Sequence, residues 1–397
     1  MWPDPDRLRA VVEHLQVIER PSASDGERRA AAWIRDELAA LGCRAAVEAA
    51  PAHGSFAVPL LLLSAAGAAA GLSRRGRRVP AAAGLAAAGA IVDDVSAGPH
   101  LFRRLLPRRN TYNVVAETGD AAGASTLVFV AHHDAARGGL VFHPGPTRAV
   151  AHALPGWYER RETSPQVMRL TVAGPALAGL GALVRRRGVR RAGGLLALGS
   201  ALAYGDIATR TVVPGANDNL AAVAVLIELA RALRDAPPRG VRVLLVSTGA
   251  EESFMEGMRG FIARHAGSLP RDRTRIVVLE CVGGPEPIVL EGEGMLRMHD
   301  YPLAVRDWLA ACGERAGHPL RRRLRSGFAT DALVALKAGY ATGVLAAVDA
   351  YKLAPHYHSQ RDVAAHLDLG TVAAICAICR EAVRSLSASP PPAPAPA

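Results

Sequence analysis

Aromatic side chains make up only 5% of the 397 residues, and there are just five cysteines. An odd count without paired spacing excludes a disulfide framework. Cys376-x-x-Cys379 has no second pair to complete a zinc site; it lies in a helical-looking run and reads as core. An N-terminal signal peptide is also missing, since residues 1–14 are charged and lack an apolar h-region, which argues against export. Acidic residues are in the minority, 36 against 47 Lys and Arg, giving a formal net charge of +11. A basic balance suits nucleic acid, anionic lipid or acidic substrates, and the placement of the arginines decides among them. They concentrate in two clusters, Arg74–Arg78 and Arg185–Arg191, each between apolar segments. That placement points to membrane flanks and away from a nucleic-acid groove.

Half of the chain is hydrophobic, enough for a sizeable core in one large domain. Ser24-Asp-Gly-Glu27 reads as a capping box opening a helix with Ala31, Ile34, Leu38 and Leu41 at helical spacing. Short apolar runs at Asn113–Glu117, Thr126–Val130, Val241–Thr248 and Arg275–Leu279 read as buried strands. Helical patterns at Leu220–Arg234, Gly257–His265, Pro302–Ala316 and Leu369–Leu386 follow or separate them. Strands alternating with helices predict an α/β class, a mixed sheet flanked by helices. The expected organisation is one domain over 1–387, interrupted by apolar helical hairpins at about 56–95 and 167–208, with a disordered Pro/Ala tail at 388–397.

Side chains able to bind a metal stand where these strands end. His132-His-Asp134 follows the Thr126 strand, Glu251-Glu252 the Val241 strand, and Glu280 closes the Arg275 strand. Asp218 sits in Pro214-Gly-Ala-Asn-Asp-Asn219, a turn feeding a helix start, and His356-Tyr-His-Ser-Gln-Arg-Asp362 supplies a late histidine-rich loop. Sites in open α/β sheets form at the carboxyl ends of strands. Singly, each motif has a plainer reading: Asp218 as a helix N-cap, Glu-Glu as a solvated helix start, His358 as loop decoration. Together, two imidazoles and several carboxylates make a nitrogen/oxygen ligand set suited to zinc, or to manganese or cobalt.

In this order, His-x-Asp, Gly-Ala-x-Asp-Asn, Glu-Glu, an acidic residue after a strand and Tyr-His-Ser-x-x-Asp, the motifs resemble the two-zinc aminopeptidase family. That family includes aminopeptidase Y, bacterial secreted leucine aminopeptidases and the glutamate carboxypeptidase/transferrin receptor branch. Arg20-Pro-Ser-Ala-Ser-Asp-Gly-Glu27 and Ala329–Gly339 resemble it too. The resemblance implies an aminopeptidase-type fold and two Zn2+, bridged by Asp218. His132 and Glu280 would complete one site, Glu252 and His358 the other. Asp134 would orient the His132 imidazole, and Glu251 would be the general base, passing a proton from the attacking water to the leaving amine. Asp331 and Asp362 match family positions as structural residues; His133 receives no role. Glu280 departs from the family's usual Asp. Too few positions separate Glu280 from His358 to hold the dimerisation domain of the related carboxypeptidases.

The expected activity is zinc-dependent hydrolysis of peptides, as an aminopeptidase. Glutaminyl cyclisation on a similar scaffold and a non-catalytic receptor-like or membrane scaffold protein are the alternatives. The hairpins lie outside the soluble family pattern. Phe56–Leu72 would reach about 25 Å as a helix, close to the ~30 Å hydrocarbon core. Membrane lipid is therefore an expected partner and the membrane the expected location, with Trp157 and Tyr158 at the interface. Spanning and shallow insertion stay equally open, and arginines at both ends of the hairpins leave sidedness undecided. Helices packing on the domain or forming a dimer surface are the alternative. Oligomeric state is not set by the sequence.

Overall fold

The computed structural model describes residues 3–74 and 76–387; the tail expected to be disordered lies outside them. The chain opens with α1 (Pro5–Gln16), α2 (Asp25–Ala40) and β1 (Arg44–Ala52). A long helical pair follows, α3 (Ala57–Leu72) and α4 (Arg78–Val95), then β2 (Arg109–Gly119) and β3 (Ser125–His132). Short helices α5 (Gly145–Ala153) and α6 (Pro155–Glu159) precede a second long pair, α7 (Met168–Leu183) and α8 (Arg187–Thr209). Then come α9 (Ala221–Asp235), β4 (Val241–Thr248), α10 (Glu256–His265), β5 (Thr274–Glu280) and β6 (Glu286–Val289). Three two-residue strands, β7 (Gly292–Glu293), β8 (His299–Asp300) and β9 (Arg325–Ser326), form a small sheet with α11 (Leu303–Arg315) between the last two. The chain closes with α12 (Asp331–Lys337), β10 (Ala341–Val348) and α13 (Leu369–Ser387).

The main sheet has seven strands in the order β1-β2-β4-β3-β5-β10-β6. Its four middle strands run parallel, while β1, β2 and β6 pair antiparallel at the flanks. The carboxyl ends of β3, β4, β5 and β10 therefore lie along one edge. Alternation sorts the core into two layers, as a side-chain period of two requires. Leu127, Phe129 and Ala131 of β3 pack with α1, α2, α9, α11 and α13; Val128 and Val130 pack with α10, α12 and residues of α3, α4 and α8. The expected mixed α/β sheet covered by helices is what the chain forms. β10 was not read from the sequence: Ala-Thr-Gly-Val-Leu-Ala-Ala-Val carries a weak strand signature.

The membrane expectation is overturned. Among the described residues, no helix is long and apolar enough to cross a membrane. α3 has 16 residues, about 24 Å at ~1.5 Å per residue, short of the ~30 Å hydrocarbon thickness. α4 and α8 are longer, but charge interrupts them, at Arg78, Asp93 and Asp94 in one and Arg187, Arg190, Arg191 and Asp206 in the other. The four helices instead pack on each other, α3 and α7 against α8 and α4 against α7. Small residues permit the close approach. A Cβ on Gly71 of α3 would lie 2.3 Å from the Gly194 Cα of α8, and one on Gly84 of α4 would lie 2.7 Å from the Gly179 nitrogen of α7. Outer faces keep Leu62, Leu195 and Leu202 exposed. Nor is Tyr158 free to face lipid: its hydroxyl donates to the Tyr351 carbonyl, and Lys352 Nζ donates to the carbonyls of Tyr158, Glu159 and Arg161. That segment lies against the loop that leads to His358.

Candidate metal centre

Each candidate side chain leaves an element held for a local reason. His132 is the last residue of β3. Its Nδ1 lies 3.2 Å from the Asp134 carbonyl oxygen and 3.4 Å from Asp134 Oδ1. Both are acceptors, so Nδ1 carries the proton and Nε2 presents its lone pair. That lone pair faces Asp218 Oδ1 at 3.1 Å and Glu280 Oε1 at 3.7 Å.

The turn bearing Asp218 is built by its neighbours. Gly215 sits at φ 64°, a left-handed position that suits glycine. Asn217 Oδ1 accepts from the Gly283 nitrogen at 2.7 Å, and Asn219 Nδ2 donates to the Leu279 carbonyl at 2.8 Å. Both tie the turn to the end of β5, where Glu280 stands. Asp362 accepts from the backbone nitrogens of Asn217 and Asp218 at 2.7 and 3.1 Å, and burial pushes its carboxyl up to about 7.

Glu251 and Glu252 lie just beyond β4. Their backbone nitrogens donate to Asp134 Oδ1 and Oδ2 at 3.1 and 3.2 Å. Asp134 thus meets both the His132 imidazole and the glutamate loop, and Ser22 Oγ donates to it as well at 2.6 Å. His358 Nε2 reaches Asp218 Oδ2 and Glu252 Oε1, each at 3.2 Å.

The result is two groups sharing one carboxylate. Potential ligand atoms of His132, Asp218 and Glu280, and of Asp218, Glu252 and His358, lie within 4.8 Å of one another in each group. His132, Glu251 and Glu252 make a further such set. Asp218 Oδ1 faces the first group and Oδ2 the second.

The site is short of positive charge. Asp218 Oδ2 and His358 Nε2 are buried and face each other at 3.2 Å without hydrogen-bond geometry, and a lone pair on His132 Nε2 confronts a carboxylate oxygen. Without a cation, only protons relieve this. Burial lowers the proton affinity of both imidazoles, but the surrounding carboxylates overcome it: His132 is raised well above its ordinary value and His358 to about 10. Burial raises Glu251, Glu252 and Glu280, whereas at Asp218 the hydrogen bond with His132 and the neighbouring His358 imidazole outweigh burial and lower it. Divalent cations would meet the same need, and the nitrogen/oxygen donors fit zinc.

Comparisons with known proteins bear on the fold. Residues 203–383 match Peptidase family M28. Solved structures similar to the chain include a zinc aminopeptidase from Bacillus subtilis, 13% identical with a TM-score of 0.55, covering 97% of this chain and 95% of that one. A Zn-dependent exopeptidase from Parabacteroides distasonis is 12% identical with a TM-score of 0.57, covering 98% and 100%. A glutaminyl cyclase from Bacteroides thetaiotaomicron is 13% identical with a TM-score of 0.58, covering 96% and 99%. No curated protein matches the chain significantly.

The fold is that of the zinc aminopeptidases.

The resemblance to the zinc aminopeptidases read from the sequence therefore holds. The M28 match contains Asp218, Glu251, Glu252, Glu280 and His358; His132 and Asp134 precede it, and the sheet brings them to the same place. His133 points elsewhere, with Nδ1 2.9 Å from Ser247 Oγ, and burial lowers its imidazole to about 4.

Three residues shaping this site were not assigned a part in it from the sequence. Arg20, fully buried, donates to the carbonyls of His133, Pro214 and Gly215 at 2.8, 2.6 and 3.1 Å. Glu27 forms only half of the expected capping box. Its nitrogen donates to Ser24 Oγ at 3.1 Å, but its carboxylate accepts from Ala23 N, Thr111 Oγ1, Tyr112 N and Ala250 N, the last beside Glu251. Glu293 accepts from the backbone nitrogen and hydroxyl of Thr330, at 3.2 and 3.0 Å, ahead of Asp331.

Glu293 yields a pH prediction. Burial raises its carboxyl from 4.5 to about 8, against the pull of the Thr330 hydrogen bonds. A raised folded value means the fold holds the proton more tightly than the unfolded chain. Its contribution to stability is full below about pH 4.5 and is lost as pH rises through about 8. Glu293→Gln keeps the shape and removes the titration. The stability of the native protein relative to this variant is expected to fall steadily from pH 5 to pH 8. Denaturant midpoints showing a constant difference across that range would disprove it.

Proposed function

We propose that the chain is a two-zinc aminopeptidase that removes the N-terminal residue of a peptide. The observation supporting this reading is Asp218, a single buried carboxylate whose two oxygens face two separate His/Glu groups. His132, Asp218 and Glu280 would hold one ion, and Asp218, Glu252 and His358 the other; zinc fits the donors, with manganese or cobalt as substitutes. Bound there, the metals would polarise the scissile carbonyl and acidify the attacking water.

The remaining chemistry belongs to the protein. Asp134 fixes the His132 tautomer and, through two backbone hydrogen bonds, the position of Glu251 and Glu252. Glu251 falls outside both groups that share Asp218 while lying beside His132 and Glu252, which suits a base over a ligand. It takes the proton of the attacking water and returns it to the leaving amine. A peptide library with free and blocked N-termini tests this reading: release of N-terminal residues from free peptides alone is expected. Cleavage of blocked and free peptides alike would refute an aminopeptidase. The glutaminyl cyclase match supports a second reading on the same scaffold. Conversion of N-terminal glutaminyl peptides to pyroglutamyl products without cleavage would favour it.

A further inference from the structure

The loop carrying Glu251 and Glu252 holds an unfavourable backbone. Ala250, Phe254 and Met255 have φ of 47°, 61° and 57°, a left-handed conformation that brings Cβ close to the following carbonyl oxygen. Such residues persist where their surroundings over-determine them. On the upstream side the surroundings are Glu27, accepting from Ala250 N, and Asp134, accepting from Glu251 N and Glu252 N.

On the downstream side, the grip comes from the two ends of the first helical pair. Arg103, in the turn after α4, is fully buried. Asp94, also buried, takes its Nε at 2.6 Å and its Nη2 at 3.0 Å. Nη1 donates to the Ser253 carbonyl and hydroxyl, each at 2.9 Å, and lies 3.3 Å from Glu256 Oε1. The Ser253 hydroxyl donates to Glu256 Oε2 at 2.7 Å. Beside it the Phe254 ring has Phe56, just before α3, stacked at 5.2 Å, and the Arg103 guanidinium 5.3 Å from its centroid. The planar fork holds the Asp94 carboxylate with two parallel donors while a third nitrogen reaches Ser253, a geometry that a lysine ammonium does not reproduce.

We infer that Arg103 is a positioning residue for the metal-facing glutamates, fixing Ser253 and Phe254 so that Glu252 meets His358 and Asp218. The first helical pair is thus part of the site's support. This inference rests on the reading of Glu252 as a metal ligand. Residues that orient ligands from outside the coordination shell typically change affinity or activity by about 10–100-fold.

The test measures zinc affinity of the full chain by competition with a chromophoric chelator, alongside kcat and KM. Arg103→Met and Arg103→Lys are expected to weaken one of two zinc ions by about 10–100-fold and to lower kcat with KM little changed. Lys337→Ala is the control: Lys337 Nζ donates to the Ser96 carbonyl beyond α4, a tie that does not reach the glutamate loop. It is expected to bind zinc as the native protein does. Should Arg103→Met fail to fold, Phe56→Leu removes the other half of the grip and is read in the same assay. Native affinity in the folded Arg103 and Phe56 variants, or equal weakening in Lys337→Ala, would overturn the positioning role. A native protein that takes up no zinc would instead overturn the ligand reading beneath it.

Discussion

Glu251→Gln is expected to keep its metal and lose about 10²–10⁴ in turnover, the usual worth of general acid–base catalysis. Glutamine preserves the shape and the backbone hydrogen bond to Asp134 while removing the basic oxygen. Burial, followed by the charges of Glu280, Glu252 and Asp331, raises the Glu251 carboxyl well above its ordinary value, with His132 pulling the other way. A carboxylate with that heightened proton affinity suits the acceptor of a proton that must later be returned. Elemental analysis of the variant beside its kcat settles the assignment. Near-native turnover would place the base elsewhere, and loss of metal would make Glu251 a ligand.

Asp218→Asn should remove more. One oxygen of Asp218 faces His132 and the other faces His358, so the substitution replaces a charged bridge with one neutral oxygen and an amide that repels a cation. Both ions are expected to be lost together, with activity falling beyond the ~10²–10⁴ of a missing base. Loss of one ion alone, or full occupancy, would refute the shared role. His132→Ala and His358→Ala, each confined to one group, form the natural comparison.

The positions of these residues were legible because chemistry and topology coincide. His132, Glu251, Glu252 and Glu280 stand at or just after strand ends, and parallel strands bring those ends to one edge whatever the length of chain between them. His358 was legible only through its motif, because the strand leading to it, β10, is too rich in alanine and glycine to announce itself. The supporting charges were hidden for another reason. Arg20 and Arg103 spend their donors largely on backbone carbonyls and an aspartate nine positions away, contacts that leave no periodic trace. Glu27 kept the spacing of a capping box while its carboxylate turned to the glutamate loop. The long apolar runs misled because hydrophobicity alone does not say what covers a helix. Length and interrupting charge exclude spanning, and glycine contacts such as Gly71 on Gly194 reveal that much of the covering is one helix on another.

Arg20 also bears on the polymer physics of the chain. His132 and Asp218 are 86 positions apart, yet meet at 3.1 Å. Arg20 grips the carbonyl of His133 where the chain leaves the site, and those of Pro214 and Gly215 where it returns. The intervening stretch, with α5 to α8, is thus a loop closed at its neck. Closure entropy grows only as the logarithm of loop length, so each doubling costs about 0.6 kcal/mol. Lengthening such a loop eightfold would cost about 2 kcal/mol, and the stretch touches the site through Phe142, whose ring centroid lies 4.3 Å from that of His358. A fold closed this way can grow by whole helices beyond that neck while Arg20 keeps the two ends of the loop together.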